Sequence, residues 1–258
     1  MRTLKQIYIA WMFLALLPMC VSAQDGRQRD FQTIVADGLA QLPISNAQKR
    51  DKVMAELTNT GTKGMEMMAK MLVPADKGKN AVVEYAISGA VSYVTVAGNE
   101  TQREAIRKGL ITSIEACTDN ANRAFLLSQL QLCSTTEDAP VFIKYLDDSY
   151  LSDYAIRGLV ATTGADAIIL ELMKKERMPK KVLAHAAYEC KLEAAEPILL
   201  EWLKGADEDM QKIIFKALSV CGTSASLKVL SAAAKSEGYE WSKDKGATGI
   251  SSSVRFPC

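Results

Sequence analysis

The residues able to do chemistry are few in this chain and lie far apart. It holds one histidine, His185, so any Ser/His/Asp arrangement would depend on that single ring, and no Gly-flanked serine elbow precedes a helix to supply the nucleophile. Of the six cysteines, Cys117, Cys133, Cys190 and Cys221 are spread along the chain rather than clustered at ligand spacing, which argues against zinc. Acids gather at Glu137-Asp138, Asp147-Asp148 and Asp207-Glu208-Asp209. Paired carboxylates hydrolyse glycosides when held at a fixed separation across a sugar. All three groups, however, fall in expected turns between helices, where acids cap helix starts and favour the positive dipole end. Gly61 to Gly64 lacks the strand context and the Lys-Ser/Thr that a phosphate loop requires. The expectation is a chain that is not an enzyme, with no catalytic, cofactor or metal site.

The elements around these residues carry a stronger signal. Residues at offsets of zero, three, four and seven recur as Leu126/Gln129/Leu130/Cys133, Ile156/Leu159/Val160/Thr163, Leu183/Ala186/Ala187/Cys190 and Ile214/Ala217/Leu218/Cys221. That spacing paints one face of a helix. The face returns about every thirty residues, closed in two copies by Gly164 or Gly222. Cys133, Cys190 and Cys221 thus share one slot on helices of different repeats. Neighbouring helices pack about 8 to 10 Å apart, whereas a disulfide wants Cα atoms within roughly 7 Å. Cys117 and Cys133 should sit a helix length apart. These thiols are therefore expected to act as small buried hydrophobes, and His185, beside its stripe, as a partly buried structural residue. Cys258, in the tail, is free to pair between molecules.

From about Arg29 the pattern is helix, short polar break, helix, with breaks at Pro43, Gly61, Pro74 to Gly78, Gly98-Asn99, Thr118 to Asn120 and Ser134 to Asp138. The β-branched run Val91 to Val96 continues the face of Ala90, Tyr93, Val94 and Ala97, with Gly98 placed to cap it, so it reads as helix. Second helices are expected over Met65 to Leu72, Arg103 to Cys117, Val141 to Leu146, Ala167 to Met173, Ile198 to Leu203 and Leu227 to Ala234. Pro140, Pro179 and Pro197 suit first-turn positions, and Asp207 suits the cap of a helix beginning at Glu208. A lone hairpin cannot bury its apolar face, so the pairs must stack.

Repeated helix pairs of this kind resemble the HEAT-repeat family over roughly Arg29 to Gly238, with repeats shorter than is typical of it. The fold expected is all-α, a right-handed α-solenoid of about six stacked helical hairpins. The exported, Ala-rich repeats are also similar to the helical region preceding a lectin-like β-sandwich in secreted bacterial proteins assigned to 3-keto-glycoside hydrolysis. That resemblance implies an alternative, in which the chain is the helical part of a carbohydrate-processing protein whose catalytic β-sandwich has no counterpart here. Contact with carbohydrate would then run through the associated domain.

Arg2 and Lys5, the apolar run Ile7 to Leu17 and the small residues Val21-Ser22-Ala23 read as an export signal, 1–23, with a mature start at Gln24. The apolar run is short for a membrane span. Lipidation at Cys20 is the minority alternative, because Met19 stands where lipidation sites usually carry a small residue. Removing 1–23 takes away two basic residues and moves the net charge from +1 to about −1, a balance that disfavours nucleic acid. Residues 24–238 form the repeat domain, and 239–258, with Gly246, Gly249 and Ser251-Ser252-Ser253, a flexible or truncated tail.

Function is then expected on the surface. If the second helices line the concave side, as the HEAT resemblance implies, Lys144, Glu171 and Glu201 stack in one row and Asp147, Lys174 and Lys204 in the next, with Tyr145 and Trp202 beside them as anchors. Mixed charge and aromatic anchors suit a protein partner in the periplasm or outside the cell. The intact mass of the exported protein should correspond to a chain beginning at Gln24; a diacylglyceryl mass on Cys20 would overturn that cleavage.

Overall fold

Ala-, Leu- and Met-rich stretches, interrupted every ten to fifteen residues by Gly, Pro, Asn or Asp, fold as those interruptions dictate. The computed structural model describes residues 29–175 and 178–236. The chain divides into two units, Met1–Asp30 and Phe31–Cys258; of the first only Arg29 and Asp30 are described, and every helix named below belongs to the second. The export signal 1–23 with Cys20, and the tail 239–258 with Cys258, lie outside the described residues. Among the described residues the fold is all-α, without a strand. No described helix is long and apolar enough to cross a membrane.

In chain order the helices are α1 (Phe31–Ala40), α2 (Ala47–Asn59), α3 (Gly61–Lys70), α4 (Ala81–Val94), α5 (Glu100–Ala116), α6 (Asn120–Gln131), α7 (Ala139–Ile143), α8 (Ser152–Ala161), α9 (Ala165–Met173), α10 (Lys180–Glu189), α11 (Glu196–Leu203), α12 (Glu208–Cys221) and α13 (Ser224–Ser236). One-turn 3-10 segments, Thr136–Asp138 and Glu193–Ala195, lead into α7 and α11. The β-branched run is helical as far as Val94, with Thr95 as its cap. Gly98 sits beyond that cap at φ +93°, where only glycine is unstrained. Pro140 and Pro197 stand in first turns, whereas Pro179 lies one residue ahead of α10, at its N-cap. Asp207 accepts from the Met210 amide and caps α12, as its position implies.

Each helix packs on a sequence neighbour, and helices two apart pack as well: α2 on α4, α3 on α5, α6 on α8, α8 on α10 and α10 on α12. Small residues set these approaches. A Cβ added at Gly109 would lie 2.9 Å from the Thr62 carbonyl oxygen, so glycine lets α5 close on α3, and Thr62 donates from Oγ1 to the Ala105 carbonyl at 2.9 Å. Gly158 lies under the ring of Phe142, which is fully buried.

The recurring face is present with one shift of register. Thr163 is exposed, and the buried residue is Thr162. The α8 stripe is therefore Ala155/Gly158/Leu159/Thr162, one residue earlier than the spacing suggests. Ile156 is also buried, which made two readings of this helix equally apolar. Thr162 donates to the Gly158 carbonyl at 2.9 Å, and the Cys221 thiol donates to the Ala217 carbonyl four residues back in the same way. The slot takes a small side chain that can satisfy itself against its own helix. His185 is a second correction. Its side chain is 46% exposed, because Leu183, Ala184, Ala186 and Ala187 fill the buried face of α10. Gly222 closes its helix as expected, standing at the C-cap of α12 in an extended conformation at φ −76°.

Polar links between helices were not legible from local patterns. Arg107 on α5 is buried and pairs with buried Asp138, which also accepts from the Thr135 amide at 2.8 Å. Asp138 is thus more than a helix cap. Arg103 donates to the carbonyls of Val94 and Thr95 at 2.9 Å, and Arg123 to those of Ile114 and Cys117. Each arginine, the fourth residue of its helix, satisfies the open carbonyls that end the preceding one. Glu196 on α11 is buried and accepts from the amides of Thr223 and Ser226 at 2.8 and 3.0 Å and from both hydroxyls. A carboxylate on α11 therefore seats the positive end of α13.

Burial pushes the Glu196 carboxyl up, but the bonds from Ser226 and Thr223 outweigh it and hold it below its ordinary value of 4.5. A depressed folded value means this contribution is present above the unfolded value and is lost as pH falls through the folded one. Glu196→Ala should destabilise by about 1–3 kcal/mol near neutral pH, with faster amide exchange in α13. In chemical denaturation the deficit relative to the parent should shrink below pH 4.5; a deficit constant down to pH 2 would refute the charged clamp.

Candidate functional site

The end of α11 and the start of α10 enclose the concavity that gathers the most of the residues expected to make contact. Pro179, Lys180, Lys181, Glu201, Trp202, Lys204, Gly205, Ala206, Asp207 and Met210 line a shallow groove of about 780 Å³. α11 is a short helix whose first turn is fixed by Pro197 and whose inward face is Leu199. Trp202, half-buried, emerges beside that face at the groove wall. The Lys180 ammonium stands 5.6 Å from the centre of its ring, a cation–π distance. Lys204 pairs with Glu201 one turn back, and Lys181 lies 3.7 Å from Asp207 and 3.9 Å from Asp209.

The remaining expected contact residues lie elsewhere. Glu171 and Lys174 are exposed and pair with each other at 2.6 Å along α9, and the Lys174 hydrogen bond holds the Glu171 carboxyl below its ordinary value. Lys144 is exposed and stands 5.6 Å from the ring of Tyr145. Tyr145 itself is only 8% exposed and belongs to the core, with the Arg123 guanidinium 5.6 Å from the ring. Each lysine of the proposed rows therefore meets a partner on its own helix or turn. What the pattern missed is Lys180, whose role beside Trp202 depends on a contact between helices and leaves no periodic trace.

Two further concavities carry polar groups. One of about 370 Å³ lies between the ends of α3 and α5 and the start of α6, with Lys70, Cys117, Asp119 and Asn122 among its walls. Buried Asn122 accepts there from Asn80, which also closes the loop before α4 through both amide and carbonyl of Val73. The other, about 540 Å³, is walled by Glu100, Arg103, Glu104, Arg107 and Glu137. Its arginines are committed to the structural bonds already described.

The thiols stay free: Cys117 and Cys190 are half-buried, Cys133 and Cys221 buried. Burial first, then the Asp138 charge, pushes the Cys133 thiol up to about 12. Burial likewise takes Cys190 and Cys221 up to about 11, with Asp166 and Glu196 adding to it respectively. Such thiols are poor nucleophiles. Among the described residues no cluster of His, Cys, Asp or Glu is placed to hold a metal ion.

Compared with protein families, curated proteins and solved structures, the chain matches none. The described residues define an all-α protein whose helices pack on their neighbours in sequence, with Trp202 on the wall of a groove. With peptide mass spectrometry as the readout, a thiolate-directed reagent at pH 8 should modify Cys117 before the other described cysteines, and Cys133 and Cys221 only on unfolding. Labelling of Cys133 at the rate of Cys117 would contradict the burial assigned to it.

Proposed function

We propose that this chain is an exported, non-catalytic helical-repeat scaffold that binds another protein through the face formed by its second helices. On this reading the helix pairs continue as a right-handed HEAT-like α-solenoid of about six hairpins, and the rows containing Lys144, Glu171, Lys174, Glu201, Trp202 and Lys204 line its concave side. The observation that carries it is the groove at Trp202, where three of the expected contact residues, Glu201, Trp202 and Lys204, share one wall. A half-buried tryptophan beside paired charges is the composition of an interface anchor, since such residues bring large area at little entropic cost. The packing of helices two apart supports the repeat reading, because it is how stacked hairpins pass one apolar face to the next.

The test is retention of a defined partner from envelope extract by the mature chain. Simultaneous Lys174→Glu and Lys204→Glu should weaken retention roughly tenfold while leaving the thermal midpoint within a few degrees, because both side chains are exposed surface groups. Absence of any specific partner for the parent protein would remove the reading.

A further inference from the structure

We infer that the Trp202 groove receives an acidic segment of the partner protein, one carboxylate placed on Lys180 with an apolar side chain against Trp202 and Met210; this rests on the protein-binding reading above. The charges of the groove select that occupant. Lys204 is neutralised by Glu201 and Lys181 faces Asp207 and Asp209. Lys180 is exposed, and its contact among the described residues is with the Trp202 ring. The ammonium stands over an aromatic face with no carboxylate bonded to it among the described residues, so an arriving carboxylate gains a charge-assisted hydrogen bond there. The same groove is lined by the apolar side chains of Pro179, Ala206 and Met210, the last 7% exposed. Methionine adapts its shape to the side chain it meets.

Glu201 and Asp207 decide against a uniform polyanion. Both carboxylates line the same groove as Lys180, so an acidic polysaccharide laid along it would set like charges together. The lysine over Trp202 also occupies space on the ring that a stacked sugar would need. A peptide carrying a single acid between apolar residues meets neither obstacle.

The mature chain carries two tryptophans, Trp202 and Trp241, so Trp241→Phe leaves Trp202 as its only indole reporter. A short blocked peptide with one glutamate flanked by leucines should change Trp202 fluorescence saturably. Its glutamine counterpart should bind roughly tenfold more weakly or worse. Lys180→Glu should abolish the preference and leave folding intact, since the position is exposed and an acid in the first turn of α10 suits the helix dipole. Equal binding of the two peptides, or a preference unchanged in Lys180→Glu, would overturn the inference. Tighter binding of polygalacturonate than of the glutamate peptide would overturn it in favour of a polysaccharide. Retention of the envelope partner separates this inference from the broader reading: undiminished retention by Lys180→Glu sinks the groove and leaves the scaffold standing, whereas no retention by the parent sinks both.

Discussion

Most helices here are too short to be stable alone, and each has a buried face that only another helix can cover. Helices below about 12 to 15 residues are marginal in water even with favourable composition, and most of these run between five and fourteen residues. Their stability therefore comes from handing one apolar face to the next element, α6 to α8, α8 to α10, α10 to α12. That dependence explains the chemistry of the stripe. A side chain in the repeated slot has to be small, because the next helix passes close by, and where it is buried it has to satisfy any polar atom within its own helix. Thr162 and Cys221 meet both conditions by donating to the carbonyl four residues back.

Apolar faces of this kind fix neighbours but are weakly directional, and the polar links supply the direction. Arg107 with Asp138, Glu196 with Thr223 and Ser226, Thr136 with the Thr163 carbonyl and Ser134 with Thr162 each join residues about thirty positions apart. Apart from Arg107, in the middle of α5, their members sit at or near the ends of helices, where open amides and carbonyls would otherwise be stranded. A buried ion pair such as Arg107–Asp138 adds little net stability over an apolar pair of equal volume. Losing one partner would leave a charge in the core, so the pair punishes misalignment of the segments it joins.

This division explains what could be read in advance. Helix positions were legible, including Val91 to Val94, because propensity, periodicity and punctuation agree locally. The register of α8 was not: Ala155, Ile156 and Leu159 are all buried, and an apolar surface broader than one stripe fits two alignments. His185 is exposed, contrary to its place beside the stripe, because Leu183, Ala184, Ala186 and Ala187 fill the buried face of its helix. Arg107 and Glu196 were invisible as partners, since a charged residue in an amphipathic pattern looks the same whether it faces water or an acid thirty residues away. Trp202 was legible as a position and Lys180 was not, for the same reason.

The outward charges gain a sharper meaning from this. Glu171 with Lys174 and Glu201 with Lys204 are spent within their own helices, and exposed pairs of that geometry contribute only tenths of a kcal/mol each. They keep the surface hydrated and mixed in sign, which discourages indiscriminate association. Discrimination needs a charged group that no described neighbour neutralises. On the groove wall at Trp202 that group is Lys180, held in place by the stacking of α10 against α12 and of α11 against α12. The same nearest-neighbour packing that makes these helices stable thus sets the one distance, ammonium to indole, on which selective contact would depend.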